Sequence, residues 1–184
     1  TGVFESFSTV SGQAIFREPP IPVEVKAYVG GKVSKLTEGL GVQVSAKGTM
    51  VQGIFGIGPE THGVVTIATD DPAQEMSVSD ISPEHAGTIL VGGSLAPLDV
   101  LKKAIDVGVS AVIAGGIHSE DLEALLGYDL GVAITGSEDV GLTLVITEGF
   151  GPLPMSGQTF QLLQDAAGKT ASVSGATQIR AGVM

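Results

Sequence analysis

The chain is expected to fold as a mixed α/β protein, with a β-rich first part and a later part built on a mostly parallel sheet. Short apolar runs alternate with helical patterns between Gly87 and Gly136. Thr88–Val91 ends in Gly92-Gly93-Ser94, Ala111–Ala114 ends in Gly115-Gly116, and Gly131–Ile134 ends in Thr135-Gly136. Continuous apolar runs separated by amphipathic stretches are strands covered on both faces, and crossovers of this length force parallel neighbours. Ahead of them, from Thr9 to about Thr69, apolar and polar residues alternate with period two between glycines, the pattern of short antiparallel strands. Between the two patterns, residues 70–86 are polar, acidic and proline-bearing.

In the first part the candidate strands are Gln13–Phe16, Val23–Val29, Gly31–Leu36, Gly41–Ser45 and Gly63–Ala68. Glu18-Pro19-Pro20-Ile21-Pro22 forces an extended path, because proline cannot donate to a ladder. In the second part a helix is expected from about residue 97 to 107. Pro97 stands near its first turn, Asp99 at its positive end, Leu98, Leu101 and Ile105 on one face, and Gly108 at its stop. Another is expected over 119–126, with Ser119 as N-cap, Glu120 and Asp121 in the first turn and Gly127 as terminator. Leu142–Thr147 reads as a strand and Ser156–Ala167 as a third helix stopped by Gly168. The expected division is a β-rich part over 1–69, a linker over 70–86, an α/β part over 87–168, and extended strands over 169–184 that return to the first part.

Composition narrows the partners. Twenty acids against nine bases give a net charge of -11, which disfavours nucleic acid and anionic membrane surfaces. Only 16% of residues are charged while 43% are apolar, and with 27 glycines this points to protein partners or self-association. The absence of cysteine removes disulfides, thiolate metal sites and a cysteine nucleophile, and fits a reducing cytoplasm. No apolar run approaches the roughly 20 residues a membrane span needs. A start on Thr1 and a stop at Met184 within an apolar pattern read as a fragment of a longer polypeptide.

Gly115-Gly116-Ile117-His118-Ser119-Glu120, followed by a helix and Leu130–Gly136, resembles the motif of the swivelling β/β/α domain. That is the mobile phosphohistidine domain of phosphoenolpyruvate-utilising enzymes, in which Gly-Gly, any residue and Thr-Ser-His precede a helix. Over about fifty residues the resemblance implies a swivelling fold without its phosphotransfer. Glu120 occupies the histidine position, His118 stands where the family has threonine, and a carboxylate cannot replace the imidazole nucleophile. Ala27–Val44 resembles half of a biotinyl or lipoyl barrel-sandwich hybrid, which would make the first part barrel-sandwich-like. Lys47, between Ala46 and Gly48, lacks the flanking residues of a modified lysine, so no attached cofactor is expected.

The candidate ligand-binding residues are Gly92, Gly93, Ser94, Gly115, Gly116, His118 and Ser119. Each group sits at a strand's carboxyl end beside a helix start, where α/β sheets receive small anions such as phosphate or carboxylate. Against this stands the plain reading of glycines that permit close packing beside a capped helix. Gly53–Gly63 is glycine-rich but lacks dinucleotide spacing, and reads as a tight corner with Phe55 or Ile57 turned inward. Glu60, His62, His118 and Glu120 are weighed as a metal set, but their spacing matches no helix-borne motif, so no metal is expected. Gly92–Ala96 lacks the second glycine of a nucleophile elbow. Two functions are compatible: a non-catalytic binding or assembly module, and an enzyme domain handling phosphoryl or carboxylate ligands at the two glycine edges.

Overall fold

A computed structural model describes residues 2–21, 25, 27–128 and 138–176. The first two hairpins are β1 (Val3–Phe7) with β2 (Ala14–Arg17), and β3 (Lys32–Thr37) with β4 (Gly41–Ser45). There follow β5 (Phe55–Ile57), β6 (Glu60–Ile67), β7 (Ile89–Val91), α1 (Leu98–Val107), β8 (Ala111–Ile117) and α2 (Ser119–Leu126). The last elements are β9 (Thr143–Phe150), α3 (Gly157–Asp165) and β10 (Thr170–Ser174). The chain is thus mixed α/β, with more strand than helix.

Six strands form one mixed sheet in the order β10-β6-β7-β8-β9-β5. The inner four are parallel, and β10 and β5 close the edges antiparallel to β6 and β9. Every residue of β7 and β8 is buried, because both faces of the sheet are covered. The period-two alternation of strand side chains divides them between the two layers. Leu90, Val112, Ala114, Leu144 and Ile146 pack with Val100, Leu101, Ala104 and Leu122 of α1 and α2. Ile89, Val91, Ala111 and Ile113 pack with Phe160 and Leu163 of α3. Burial of each large side chain contributes on the order of 1.5–3 kcal/mol, so this double-faced sheet is the main source of stability.

The helix boundaries follow their local chemistry. Gly108 and Gly127 end α1 and α2 at φ +83° and +79°, where a side chain would be strained, and donate back to Ala104 and Glu123 carbonyls at 3.1 and 2.8 Å. Ser156 caps α3 by accepting from the Thr159 N–H at 3.2 Å. The cap of α2 falls one residue earlier than the sequence reading: His118 is the N-cap and Ser119 the first helical residue.

Segments expected outside the α/β part join it: β5, β6 and β10 are strands of its sheet, and residues 70–86 add to its core. Gly63–Ala68 overlaps β6, which runs parallel to β7 and antiparallel to β10. Residues 70–86, expected as a linker, are the β6-to-β7 connection, and they place Met76 and Ile81 in the core beneath two short 3-10 turns, Val78–Asp80 and Pro83–His85. Those two apolar residues are too widely spaced to stand out as a periodic pattern. The β5–β6 corner turns at Gly58, φ +99°, with Ile57 fully buried. The two early hairpins belong to separate two-stranded sheets with exposed apolar residues. The expected strand Gly131–Ile134, and Val23, Glu24 and Lys26 of Val23–Val29, lie outside the described residues.

Candidate functional site

The parallel register brings the two glycine groups side by side. Leu95 bridges Gly116, the Gly115 N–H donates to the Gly93 carbonyl at 2.8 Å, and the Ala96 N–H donates to the Gly116 carbonyl at 3.1 Å. Gly92, Gly93, Ser94, Gly115 and Gly116 therefore form one contiguous edge, and all five are buried. One feature departs from the sequence reading. Gly115 and Gly116 do not end their strand but lie inside β8, which continues to Ile117 across a register shift after Ala114.

That edge is roofed by the protein itself. A Cβ on Gly116 would collide with the Gly151 carbonyl, and one on Gly115 with the Leu153 carbonyl. On Gly93 it would meet the Gln74 carbonyl and, at 2.5 Å, that of Asp71; on Gly92 it would meet the Met76 side chain. Two loops, residues 71–76 and 151–155, thus lie directly on glycine backbone, a distance that no side chain permits. They are joined to each other by the Met155 N–H donating to the Pro72 carbonyl at 3.0 Å. The Met76 N–H reaches the Leu95 carbonyl at 3.1 Å, and the Gly151 N–H reaches that of Ile117 at 2.9 Å.

The amides an anion would recruit are engaged within the chain. Gly92 N–H donates to the Ile113 carbonyl at 2.8 Å and Ser94 N–H to the Gln74 carbonyl at 2.9 Å. The start of α1 has its own anion, because Asp121 Oδ2 on α2 accepts from the Leu98 N–H at 3.3 Å. Asp121 was legible only as an acid in a first turn; that it would serve the neighbouring helix was not. Thr69, just beyond β6, is a further residue that sequence reasoning missed. It is buried, and its Oγ1 has no hydrogen-bond partner among the described residues.

His118 and Ser119 stand apart from the roofed edge. His118 is exposed and Ser119 half-buried, with Ser119 Oγ donating to Glu120 Oε2 at 3.2 Å. Hydrogen bonding to its own backbone N–H holds the Glu120 carboxyl below the ordinary glutamate range, helped by the Ser119 hydroxyl and nearby His118. The set Glu60, His62, His118 and Glu120 does not converge. Val65, Ile89 and Ala111 are level across the parallel strands, so Glu60 begins one end of the sheet while His118 lies beyond the other. The offset is about twelve residues, or roughly 40 Å along the strand direction. Among the described residues, no group of three or more His, Asp or Glu could hold a metal ion. A shallow concavity of about 280 Å³ is lined by Lys35, Thr37, Leu40, Gly41, Val42 and Gln43, on the β3–β4 hairpin and away from the glycine edge.

No family model, curated protein or solved structure matches this chain. The geometry therefore defines the class, a mixed α/β protein whose sheet is sealed at its carboxyl edge. Among the described residues no helix is long and apolar enough to cross a membrane.

Two outcomes follow from this geometry. Gly116→Ala should destabilise the protein by about 3 kcal/mol, since its new methyl group meets immobile backbone. Gly108→Ala, at φ +83° with open space around it, should cost about 1 kcal/mol from backbone strain alone. Urea unfolding of both variants checks the ranking, and equal losses would contradict the roofed edge. For Glu120, a side-chain NMR titration should give a midpoint below that of an ordinary glutamate, moving up toward it in Ser119→Ala. The sign follows from the lowered folded-state value: the contribution is complete above the unfolded glutamate range and disappears as pH falls through the folded midpoint.

Proposed function

We propose that this chain is a non-catalytic binding or assembly module of a larger cytoplasmic protein or oligomer. In this reading its α/β part is a swivelling-type domain that has kept the architecture without the phosphotransfer, and its partners are proteins or further copies of itself. The observation that carries the reading is the sealed edge. Where an open α/β sheet would receive a ligand, Gly93, Gly115 and Gly116 are covered by the chain's own carbonyls, and the Gly92, Ser94 and Gly115 amides are already bonded. A site for chemistry needs convergent polar groups around a space that substrate can enter. His118 and Ser119, the members of the candidate set nearest solvent, lie beside Glu120, whose carboxylate accepts from the Ser119 hydroxyl. Much of the exposed apolar surface lies on the two early hairpins.

The alternative, a domain that handles phosphoryl or carboxylate ligands, makes an opposite prediction. Phosphotransfer in the swivelling manner requires an imidazole nucleophile at the start of α2, where this chain has Glu120. Incubation with phosphoenolpyruvate or a nucleoside triphosphate should therefore leave the protein at its unmodified mass. An acid-labile, base-stable phosphate that is present on the wild type and absent from His118→Ala would replace the module reading with the enzyme reading.

Assembly has its own test. Light scattering on the order of tens of micromolar should give at least a dimer, because weak charge and outward apolar surface both favour association. A clean monomer across that range would remove self-association from the proposal.

A further inference from the structure

The two early hairpins share a feature that the sheet register exposes. In β1–β2, Phe4 pairs with Phe16 and Phe7 with Ala14, with a register shift between Phe4 and Ser6. Opposed residues, and residues two apart on a strand, share a face. Phe4, Phe7, Ala14 and Phe16 therefore lie together, and the Phe4 and Phe16 rings meet edge to face at 5.7 Å. In β3–β4, Val33 pairs with Val44 and Leu36 with Val42, again across a shift, between Val33 and Lys35. Val33, Leu36, Val42 and Val44 share one face, leaving Lys32, Lys35, Gln43 and Ser45 on the other. In each hairpin the extra residue rephases the strand so that all the large apolar side chains but Val3 and Ile15 fall on one side.

Both faces are open. Phe4, Phe7 and Phe16 are 57%, 55% and 63% exposed, and Val33, Leu36 and Val42 are 55%, 73% and 57% exposed. A lone two-stranded hairpin is marginal in water, so each face needs a cover. We infer that the cover is a second copy of this chain: the aromatic face of β1–β2 in one copy seats on the aliphatic face of β3–β4 in the other, and reciprocally. This rests on the assembly reading above and names its surface.

Area selects a reciprocal contact. Three phenylalanines of about 200 Å² each, more than half exposed, offer roughly 350 Å². One hairpin-on-hairpin contact would bury about 700 Å² over both partners, within the range of incidental contacts. Two contacts related by a twofold axis bury about 1,400 Å², inside the roughly 1,200–2,000 Å² of stable interfaces. Charge selects the same region. Residues 51–184 carry sixteen acids and four bases and would repel their counterparts, whereas residues 1–50 carry four acids and five bases. Within β1–β2, Glu5 and Arg17 form an ion pair on the face away from the contact. Lys32 and Lys35 likewise stay on the solvent side of β3–β4.

The absence of cysteine makes the test direct. Phe7→Cys and Leu36→Cys are prepared separately, mixed and mildly oxidised, and should give a disulfide-linked pair of chains containing one of each. The doubly substituted chain should link to other chains. If it instead closes on itself as a covalent monomer, or if no cross-link forms while light scattering still reports an assembly, this interface is wrong and the module reading stands. If wild type scatters as a monomer, both self-association and this interface fall. As a second readout, Phe16→Lys with Leu36→Lys should convert the assembly to monomer while leaving the thermal unfolding of the α/β core in place. An assembly that persists unchanged in that variant would overturn the inference.

Discussion

Among the described residues, two loops cross the carboxyl edge of the parallel sheet at very close backbone approach, and these crossings depend on the absence of side chains. Gly93, Gly115 and Gly116 admit carbonyls of Asp71, Gln74, Gly151 and Leu153 to positions a methyl group would occupy. Because the loops can lie so near, their own backbone groups find partners on the strands, as in Ser94 N–H to Gln74 and Gly151 N–H to Ile117. A buried backbone donor left unbonded costs on the order of 1–3 kcal/mol, so closeness and satisfaction come together. Removing one glycine would separate a loop from the sheet and release several of these bonds at once.

The same crossings connect the edge to both layers of the core. Met76, held by its N–H to the Leu95 carbonyl, packs in the layer of α1 and α2. Met155, held by its N–H to the Pro72 carbonyl, packs in the layer of α3. One loop thus leads into each face, and the two loops are bonded to each other. Both methionines are almost wholly buried, and an unbranched thioether suits the irregular space left beside a glycine strand. The sealed edge is in this sense part of the core, and the closure of that edge and the cohesion of the fold have a common origin.

This also explains which features could be read from sequence. Strand β8 was legible as a continuous apolar run, and helices α1 and α2 because their apolar residues recur with a helical period and Gly108 and Gly127 stop them where left-handed backbone is required. The adjacency of the two glycine groups followed from the parallel crossovers. What covers them did not: a double glycine at or near a strand end serves equally to admit a phosphate or a carbonyl, and the segments that fill the space, 71–76 and 151–155, have no periodic pattern. Met76 and Ile81 sit in an acidic, proline-bearing stretch whose composition is that of a linker, although two side chains suffice to anchor it. Asp121 reaching the start of α1 was invisible for a similar reason, since an acid in a first turn normally serves its own helix.

The contrast between the two parts of the chain then becomes a statement about where contacts can form. The α/β part turns its large apolar residues inward, closes its carboxyl edge with its own backbone and presents a strongly acidic exterior, all of which discourage association through that surface. The hairpins do the reverse, with bulges that gather aromatic or aliphatic side chains on faces that have no covering layer among the described residues. A shift of one residue in either strand would scatter those side chains over both sides, so the bulges matter only if one side is to be covered. Sealing one surface and gathering apolar residues on another are complementary consequences of where glycines and bulges stand in the sequence. Together they leave the least acidic part of the molecule as the surface on which the proposed association would rest.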